Sequence, residues 1–162
     1  MSSTRRSTAL AFISAFEYLD IPTHMSLRTP TCTQIFAPSS IHQPPPLTNS
    51  DFSVHLSKLK SIISHFPVWP KEIIEDEREN RVVIWATSEA TFKDEVRDEG
   101  LSEAEWGYKG EYVFMLTLDE SGERIEKVVE FLDSKAAERA RGLVRRALGN
   151  LEHGKEKIEA DE

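Results

Sequence analysis

The chain has 162 residues, of which 39% are hydrophobic and 30% are charged, and this length fits one domain with its own hydrophobic core. Its 28 acidic and 20 basic side chains give a formal net charge of −8, which argues against nucleic acid as a partner because phosphate backbones would be repelled. Cys32 is the only cysteine, which excludes an intrachain disulfide and a multi-cysteine metal centre. No apolar run approaches the roughly 18 residues that span a bilayer, and Glu17 and Asp20 interrupt the N-terminal apolar stretch, so we expect a cytoplasmic protein without membrane contact. The alternative is a mitochondrial presequence, because Arg5 and Arg6 precede an amphipathic stretch without acidic residues before Glu17.

The pattern along the chain predicts one domain over residues 7–151, with a disordered N-terminus over 1–6 and a frayed polar tail over 152–162. Ser7 or Thr8 can cap a first helix. In that helix, apolar side chains return at nearly helical spacing, at Leu10, Ile13 and Phe16.

Prolines divide the next part of the chain. Pro22 ends the first helix or opens a short second one. Five prolines in the segment 28–47 exclude a continuous helix there, so we expect a short strand near Thr31–Phe36 followed by a stiff loop. Asn49 or Ser50 then caps a helix with one apolar side, which ends before the next proline.

From Trp69 onward, the hydrophobic period becomes two and β-branched residues appear, which predicts a hairpin of PKEIIEDE and RVVIWATSEAT. After a charged connection that contains LSEAEW, two further strands are predicted in YKGEYVFMLTL and ERIEKVVEFLD. Their short link, DESG, makes them antiparallel neighbours. A last helix is predicted from Ser134 to about Leu151. This order predicts an α+β fold in which helices pack on one face of a curved antiparallel sheet.

Two glutamates lie on otherwise apolar faces of the last two predicted strands. Glu111 shares a face with Val113 and Met115, and Glu130 shares one with Val128. A carboxyl group surrounded by hydrocarbon has a raised pKa and can exchange protons near neutral pH. The alternative is that each glutamate lies on a solvated sheet face as an ion-pair partner of a nearby lysine or arginine.

The histidines indicate a functional site less clearly than the two glutamates do. His55 lies beside apolar positions of the third helix, where it could face a cavity or a solvated boundary. His42 in the proline-rich loop and His24 in the short second helix could reach a pocket mouth or remain in water. No two histidines stand at i,i+4 and no compact motif of histidine and carboxylate appears, so no metal site is expected. The aromatic side chains belong to the core first, although some could also line a ligand cavity: Phe12, Phe16, Trp69, Trp85, Phe114 and Phe131.

Three stretches of the chain resemble the fungal SnoaL-like proteins of the NTF2-like superfamily: RTPTCTQIFAPSS, PPLTNSDFSVHL and YKGEYVFMLTLDESGERIEKVVEFLDS. The resemblance covers about residues 8–150. It implies a conical α+β barrel, in which three helices close a curved antiparallel sheet around a deep apolar pocket, and a homodimer through the sheet. Relatives include cofactor-free isomerases and cyclases of polyketide and meroterpenoid biosynthesis, so the resemblance implies an apolar, oxygenated small-molecule ligand and no cofactor.

The resemblance also bears on individual residues. Polar side chains on the inner faces of late strands do acid–base work in the superfamily, which implies this role for Glu130 and Glu111. Arg28 could bind an enolate or carboxylate oxygen at the pocket mouth, or it could fix its loop through an ion pair. Gln34 and Gly110 stand where relatives often have histidine and asparagine. Because an amide does not exchange protons at neutral pH, a base located there in relatives has been moved or lost in this chain.

The resulting hypothesis is a cofactor-independent isomerase or cyclase. Glu111 or Glu130 would remove a proton next to a carbonyl, the other glutamate or Arg28 would stabilise the oxyanion, and His55 would assist. The alternatives are a non-catalytic binding or assembly protein and a partner-docking adaptor. The residues expected to contact the ligand are Arg28, Gln34, His42, Phe12, Phe16, Trp85, Val113 and Met115.

Overall fold

The computed structural model describes residues 3–100 and 102–160. This part of the chain forms five α-helices, α1 (Thr4–Ser14), α2 (Ile21–Ser26), α3 (Asn49–Ile62), α4 (Glu103–Trp106) and α5 (Ser134–Ala160). It also forms six strands, β1 (Arg28–Ala37), β2 (Ile63–His65), β3 (Val68–Asp76), β4 (Arg81–Phe92), β5 (Tyr108–Leu118) and β6 (Ile125–Leu132).

Side-chain caps determine where the first helices begin. Ser3 caps α1 by accepting a backbone N–H of the first turn, so the helix begins at Thr4, earlier than the sequence predicted. Of the N-terminus predicted to be disordered, residues 1 and 2 lie outside the described residues. Helix α3 begins with a capping box, in which Thr48 and Asp51 each bind the other's backbone N–H.

Two elements differ from the prediction at their ends. Helix α5 continues to Ala160, so the tail expected to fray from residue 152 is helical as far as it is described, and residues 161 and 162 lie outside that part. The third helix ends at Ile62, because the chain then extends into β2, whose Ile63 pairs with Phe92 of β4. None of the helices in the described ranges combines the length and the apolar character needed to cross a membrane.

The strands form one sheet in the order β1-β6-β5-β4-β2, and β3 pairs with β4 beside β2. The predicted hairpins β3–β4 and β5–β6 are antiparallel, but β1 pairs with β6 in parallel, which differs from the fully antiparallel sheet expected. A parallel pair needs a long crossover, and the whole helical and hairpin region between β1 and β6 provides it. The expected α+β fold with a curved sheet and a C-terminal helix is confirmed.

Side chains alternate between buried and more exposed positions along β4 and β5, as the period of two predicts. The buried set faces α1 and α3 and forms the core with them. Its fully buried members include Phe12, Phe52, Ile84, Phe114 and Leu116.

Candidate active site

An apolar cavity of about 510 Å³ lies between the inner face of the sheet, α3 and α5. Its apolar wall includes Phe16, Phe36, Phe52, Leu56, Phe92 and Val144. Polar and charged side chains also line it: Gln43, His55, Tyr108, Tyr112, Glu130, Arg141 and Arg145. Among the described residues, Glu130 is the only carboxylate in this lining.

Glu130 lies on β6, between Phe36 of β1 and Phe114 of β5, and only 8% of it is exposed. The Nε2 atom of Gln34 donates a hydrogen bond to its carboxylate over 3.0 Å. Burial raises the pKa of Glu130 to about 7, although the Gln34 hydrogen bond and the charge of Arg28 oppose the rise. This carboxyl group therefore exists in both protonation states near neutral pH, as a group that accepts and returns protons requires.

Arg28 holds Gln34 in place from the side away from the cavity. The alternation of β1 turns Arg28, Cys32 and Gln34 to the inner face, where all three are buried. Nη2 of Arg28 donates to Oε1 of Gln34, Nη1 donates to Sγ of Cys32 over 3.1 Å, and the guanidinium lies 4.3 Å above the ring centre of Phe52. The expectation that Arg28 lies at the pocket mouth is wrong, because these contacts bury it. Neither Arg28 nor Gln34 lines the cavity, and Gln34 is joined to the cavity wall through its hydrogen bond to Glu130.

A pair of tyrosines that the sequence analysis missed forms another part of the cavity wall. Oγ of Ser88 donates to Oη of Tyr112 over 3.0 Å, and Oη of Tyr112 lies 2.8 Å from Oη of Tyr108. Gly110 lies between the tyrosines on the same face, and a Cβ there would come within 2.5 Å of the Tyr108 hydroxyl and closer still to that of Tyr112. The glycine therefore provides the space in which the two hydroxyl groups meet.

Burial raises the pKa of both tyrosines, so their hydroxyl groups stay protonated and can donate hydrogen bonds. The signal for this pair was present in the sequence. In YKGEY, two tyrosines flank a glycine at a spacing of two, which puts all three residues on one face of a strand.

His55 lies in the cavity wall on α3. Its ring stacks on Phe52 with a centroid distance of 6.1 Å and an interplanar angle of 18°, and its centroid lies 5.3 Å from that of Phe36. Burial, assisted by the charge of Lys58, lowers its pKa, which favours the neutral imidazole. A neutral ring can donate from one nitrogen and accept at the other.

Four residues expected at the site lie instead on the outer face of the sheet. Glu111, Val113 and Met115 alternate with the inward set of β5, and Trp85 of β4 pairs with Val113 and shares its face. Nε1 of Trp85 donates to Oε1 of Glu111 over 2.6 Å, and both residues are exposed. The prediction that Glu111 faces the interior is wrong, because the larger aromatic side chains of β5 occupy that face.

Other residues lie near the cavity without reaching it. Phe16 lines the cavity, whereas Phe12 is completely buried behind it, with ring centroids 5.2 Å apart. His42 is exposed beside Gln43 and has a left-handed backbone with φ of 52°, so its place in the ligand site is not supported. His24 is completely buried, and burial, with the nearby positive charge of Arg28, lowers its pKa to about 3. No cluster of three or more potential metal ligands occurs among the described residues.

No protein-family model matches the chain. Austinoid biosynthesis cluster protein H of Aspergillus calidoustus is 30% identical over 132 residues, which cover 79% of this chain and 82% of that protein. Austinoid biosynthesis clusters protein H of Penicillium brasilianum is 30% identical over 141 residues, which cover 83% of this chain and 88% of that protein.

Solved structures show the same likeness. AusH from Aspergillus nidulans superimposes with a TM-score of 0.70 and 26% identity, over 83% of this chain and 86% of AusH. The BvnE pinacolase from Penicillium brevicompactum gives a TM-score of 0.72 and 26% identity, over 86% of this chain and 95% of BvnE. With the sequence relatives, these structures confirm the family that the sequence motifs indicated. The chain belongs, with the austinoid cluster proteins H, to the fungal SnoaL-like proteins of the NTF2-like superfamily.

Proposed function

We propose that this protein is a cofactor-independent biosynthetic enzyme that transfers a proton on an apolar, oxygenated intermediate of the polyketide or terpenoid type and thereby isomerises or cyclises it. One observation carries the proposal. Glu130 is the only carboxylate among the described lining residues of a largely apolar cavity, and burial raises its pKa to about 7. For a purely structural glutamate this position is unfavourable at neutral pH, since burying its charge costs free energy that the Gln34 hydrogen bond and the charge of Arg28 offset only in part.

In the proposed mechanism, Glu130 removes a proton from the carbon next to a carbonyl group, and negative charge develops on the carbonyl oxygen. The tyrosine pair can stabilise that charge. Tyr112 accepts from Ser88, so its own proton can bond Tyr108 and leave the Tyr108 proton free for the ligand. His55, as a neutral ring in the same wall, is a further donor or relay. The carboxylic acid then returns the proton to a different carbon, which gives isomerisation; in a cyclisation the enolate carbon bonds a second carbonyl carbon, and the acid gives its proton to the alkoxide formed there.

Relatives support the class of ligand. Two are named for austinoid biosynthesis clusters, and one structural neighbour is described as a pinacolase. An apolar wall with few polar groups suits an intermediate of this kind, because hydrocarbon surface is buried while a small number of polar contacts set its orientation.

The test is incorporation of deuterium from D₂O into terpenoid ketones and β-keto esters, measured by mass spectrometry above the spontaneous rate. We expect the wild-type protein to accelerate exchange and Glu130→Gln to lose at least about a hundredfold of that acceleration. Glu111→Gln is the matched control, because the same change on the outer face leaves the cavity intact. Full exchange activity in Glu130→Gln would contradict the proposal.

A non-catalytic binding protein is the second candidate. The withdrawal of Arg28 and Gln34 from the cavity favours it, because a ligand beside Glu130 then meets neither the guanidinium of Arg28 nor the amide of Gln34. The same assay separates the two functions. Ligands that bind tightly but exchange no proton at any pH between 5 and 9 would support binding alone.

We also propose that the protein forms a homodimer through the outer face of the sheet. Trp85, Val113 and Phe131 lie in register across three strands of that face, and Trp85 and Phe131 are exposed by 41% and 46%. Exposed apolar patches of this kind mark protein contacts. Phe131→Glu is expected to give a monomer in sedimentation velocity, and a wild-type monomer would contradict the proposal.

A further inference from the structure

Two arginines of α5, Arg141 and Arg145, have different surroundings from Arg139 and Arg146 of the same helix. Arg139 donates to the carbonyl oxygens of residues 104, 105 and 107, and Arg146 pairs with Asp98 and lies over the ring of Trp106. Arg141 and Arg145 instead line the cavity. Within the described ranges, no carboxylate lies at ion-pair distance from either guanidinium group.

The position of these two arginines follows from the helix period. Ala137, Ala140 and Val144 face the cavity from α5, and Arg141 and Arg145 each directly follow a member of this apolar face. Both guanidinium groups therefore stand at the edge of an apolar chamber. In a protein with a net charge of −8, two cations without a carboxylate partner beside a cavity point to a negative charge that arrives with the ligand.

Gln43 supplies a second, independent observation. It lies in the proline-rich loop across from α5, where its Oε1 accepts from Nη2 of Arg141 over 3.2 Å. Its Nε2 is buried and has no hydrogen-bond partner among the described residues, although Gln43 lines the cavity. A buried N–H donor without an acceptor costs free energy, and a small movement of the Gln43 side chain towards the cavity that it lines would let this donor bond an anionic oxygen of a ligand.

We propose that Arg141, Arg145 and Gln43 form an anion subsite, and that the ligand of the cavity is an apolar molecule that carries a carboxylate or another anionic oxygen group. This subsite deepens the proposed function, on which it rests, because it fixes one end of the substrate at α5. The opposite end, with the reacting carbon, then lies towards Glu130 and the tyrosine pair. The charged group is bound and takes no part in the proton transfer.

A matched pair of fluorescent probes tests the subsite without any turnover. 8-Anilinonaphthalene-1-sulfonate and N-phenyl-1-naphthylamine share one ring system, and only the first carries an anion. We expect both to enter the cavity and to displace each other. In the double variant with Arg141→Gln and Arg145→Gln, the Kd of the sulfonate is expected to rise about tenfold, whereas that of the neutral amine changes less than about threefold.

Three controls complete the experiment. The double variant with Arg141→Lys and Arg145→Lys keeps the charges and is expected to keep most of the sulfonate affinity. Lys155→Ala removes one exposed positive charge from the same helix outside the cavity and is expected to change neither Kd. High salt is expected to weaken sulfonate binding alone.

The inference is overturned if the sulfonate affinity survives the double glutamine variant, or if both probes weaken by the same factor. Its failure is distinguishable from failure of the proposed function. The difference in Kd between the two probes reports on Arg141 and Arg145 and does not require Glu130 to act as a base. The loss of deuterium exchange in Glu130→Gln reports on the base and does not require the ligand to be an anion.

Discussion

Glu130→Gln is expected to make the protein more stable at neutral and alkaline pH and to leave its stability unchanged in acid. The pKa of Glu130 is about 7 in the folded protein and 4.5, the ordinary value for glutamate, in the unfolded chain. The folded state therefore holds this proton more tightly than the unfolded state does. The stability associated with the proton is complete below pH 4.5 and is lost as the pH rises towards 7. Glutamine has nearly the same shape but never ionises, so the variant escapes this loss.

The size of the effect follows from the two pKa values. Their difference corresponds to about 3 kcal/mol in the free energy of unfolding, reached above pH 7 and absent below pH 4.5. For a chain of this length, such a change corresponds to roughly 6–12 °C in Tm. Gln34 is able to donate to the new amide oxygen as it does to the carboxylate, so the substitution leaves this buried donor satisfied.

Urea unfolding of both proteins between pH 4 and 9 measures the effect. Taking the difference at each pH cancels the titration of every other group, which the two chains share. Glu111→Gln is the matched control for the chemical change itself, because it is made on the outer face of the sheet, away from the cavity. A Glu130→Gln difference that does not vary with pH would refute the assignment of a buried carboxyl group that titrates near neutral pH.

The buried groups around the cavity give three further predictions. Because the pKa of His24 is about 3 in the folded protein, the wild type loses stability as the pH falls from 6.5 to 3. His24→Leu is expected to reduce this loss, and urea unfolding across the acid range measures it. Gly110→Ala is expected to lower the free energy of unfolding by about 1–3 kcal/mol, because the new methyl group clashes with the tyrosine hydroxyls. Gly142→Ala is expected to raise it by about 0.5–1 kcal/mol, because this glycine of α5 faces open space. Thermal melts in which both variants shift Tm in the same direction would contradict this. Gln34→Leu removes a hydrogen bond that lowers the pKa of Glu130, so the midpoint of deuterium exchange is expected to move above pH 7, and an unmoved midpoint would argue against the contact.

The fold was predictable from the sequence because its signals are local. Alternation marked β3, β4, β5 and β6, and the three-to-four spacing marked α3. The same period put Glu130 and Val128 on one face of β6, and the structure shows that this face is the inner one, where both are buried. The parallel pairing of β1 with β6 was not predictable in this way, because register between distant segments depends on tertiary packing.

The candidate site was predicted only in part, because the sequence does not show which face of β5 points towards the interior. Period two assigns residues to faces but does not say which face is inner. Val113 and Met115 made the Glu111 face look apolar, yet the opposite face carries the larger rings of Tyr112 and Phe114, and burying these removes more apolar surface from water. Arg28 was misplaced for a related reason: a buried arginine is uncommon unless its donors find partners, and those partners are set by the fold.

The arrangement of Arg28, Gln34 and Glu130 explains why the pKa of the carboxyl group stays near neutrality. A guanidinium in direct contact would hold the carboxylate permanently ionised, and its complete removal would leave burial to keep the group protonated. The amide of Gln34 stands between the two, accepting from Arg28 and donating to Glu130 over 3.0 Å, so the cation acts in a weakened form. Both protonation states are then accessible at one pH, and the proposed proton transfer needs both in every turnover. Gln34, whose amide cannot exchange a proton, therefore keeps the pKa of Glu130 in the range in which Glu130 can exchange one.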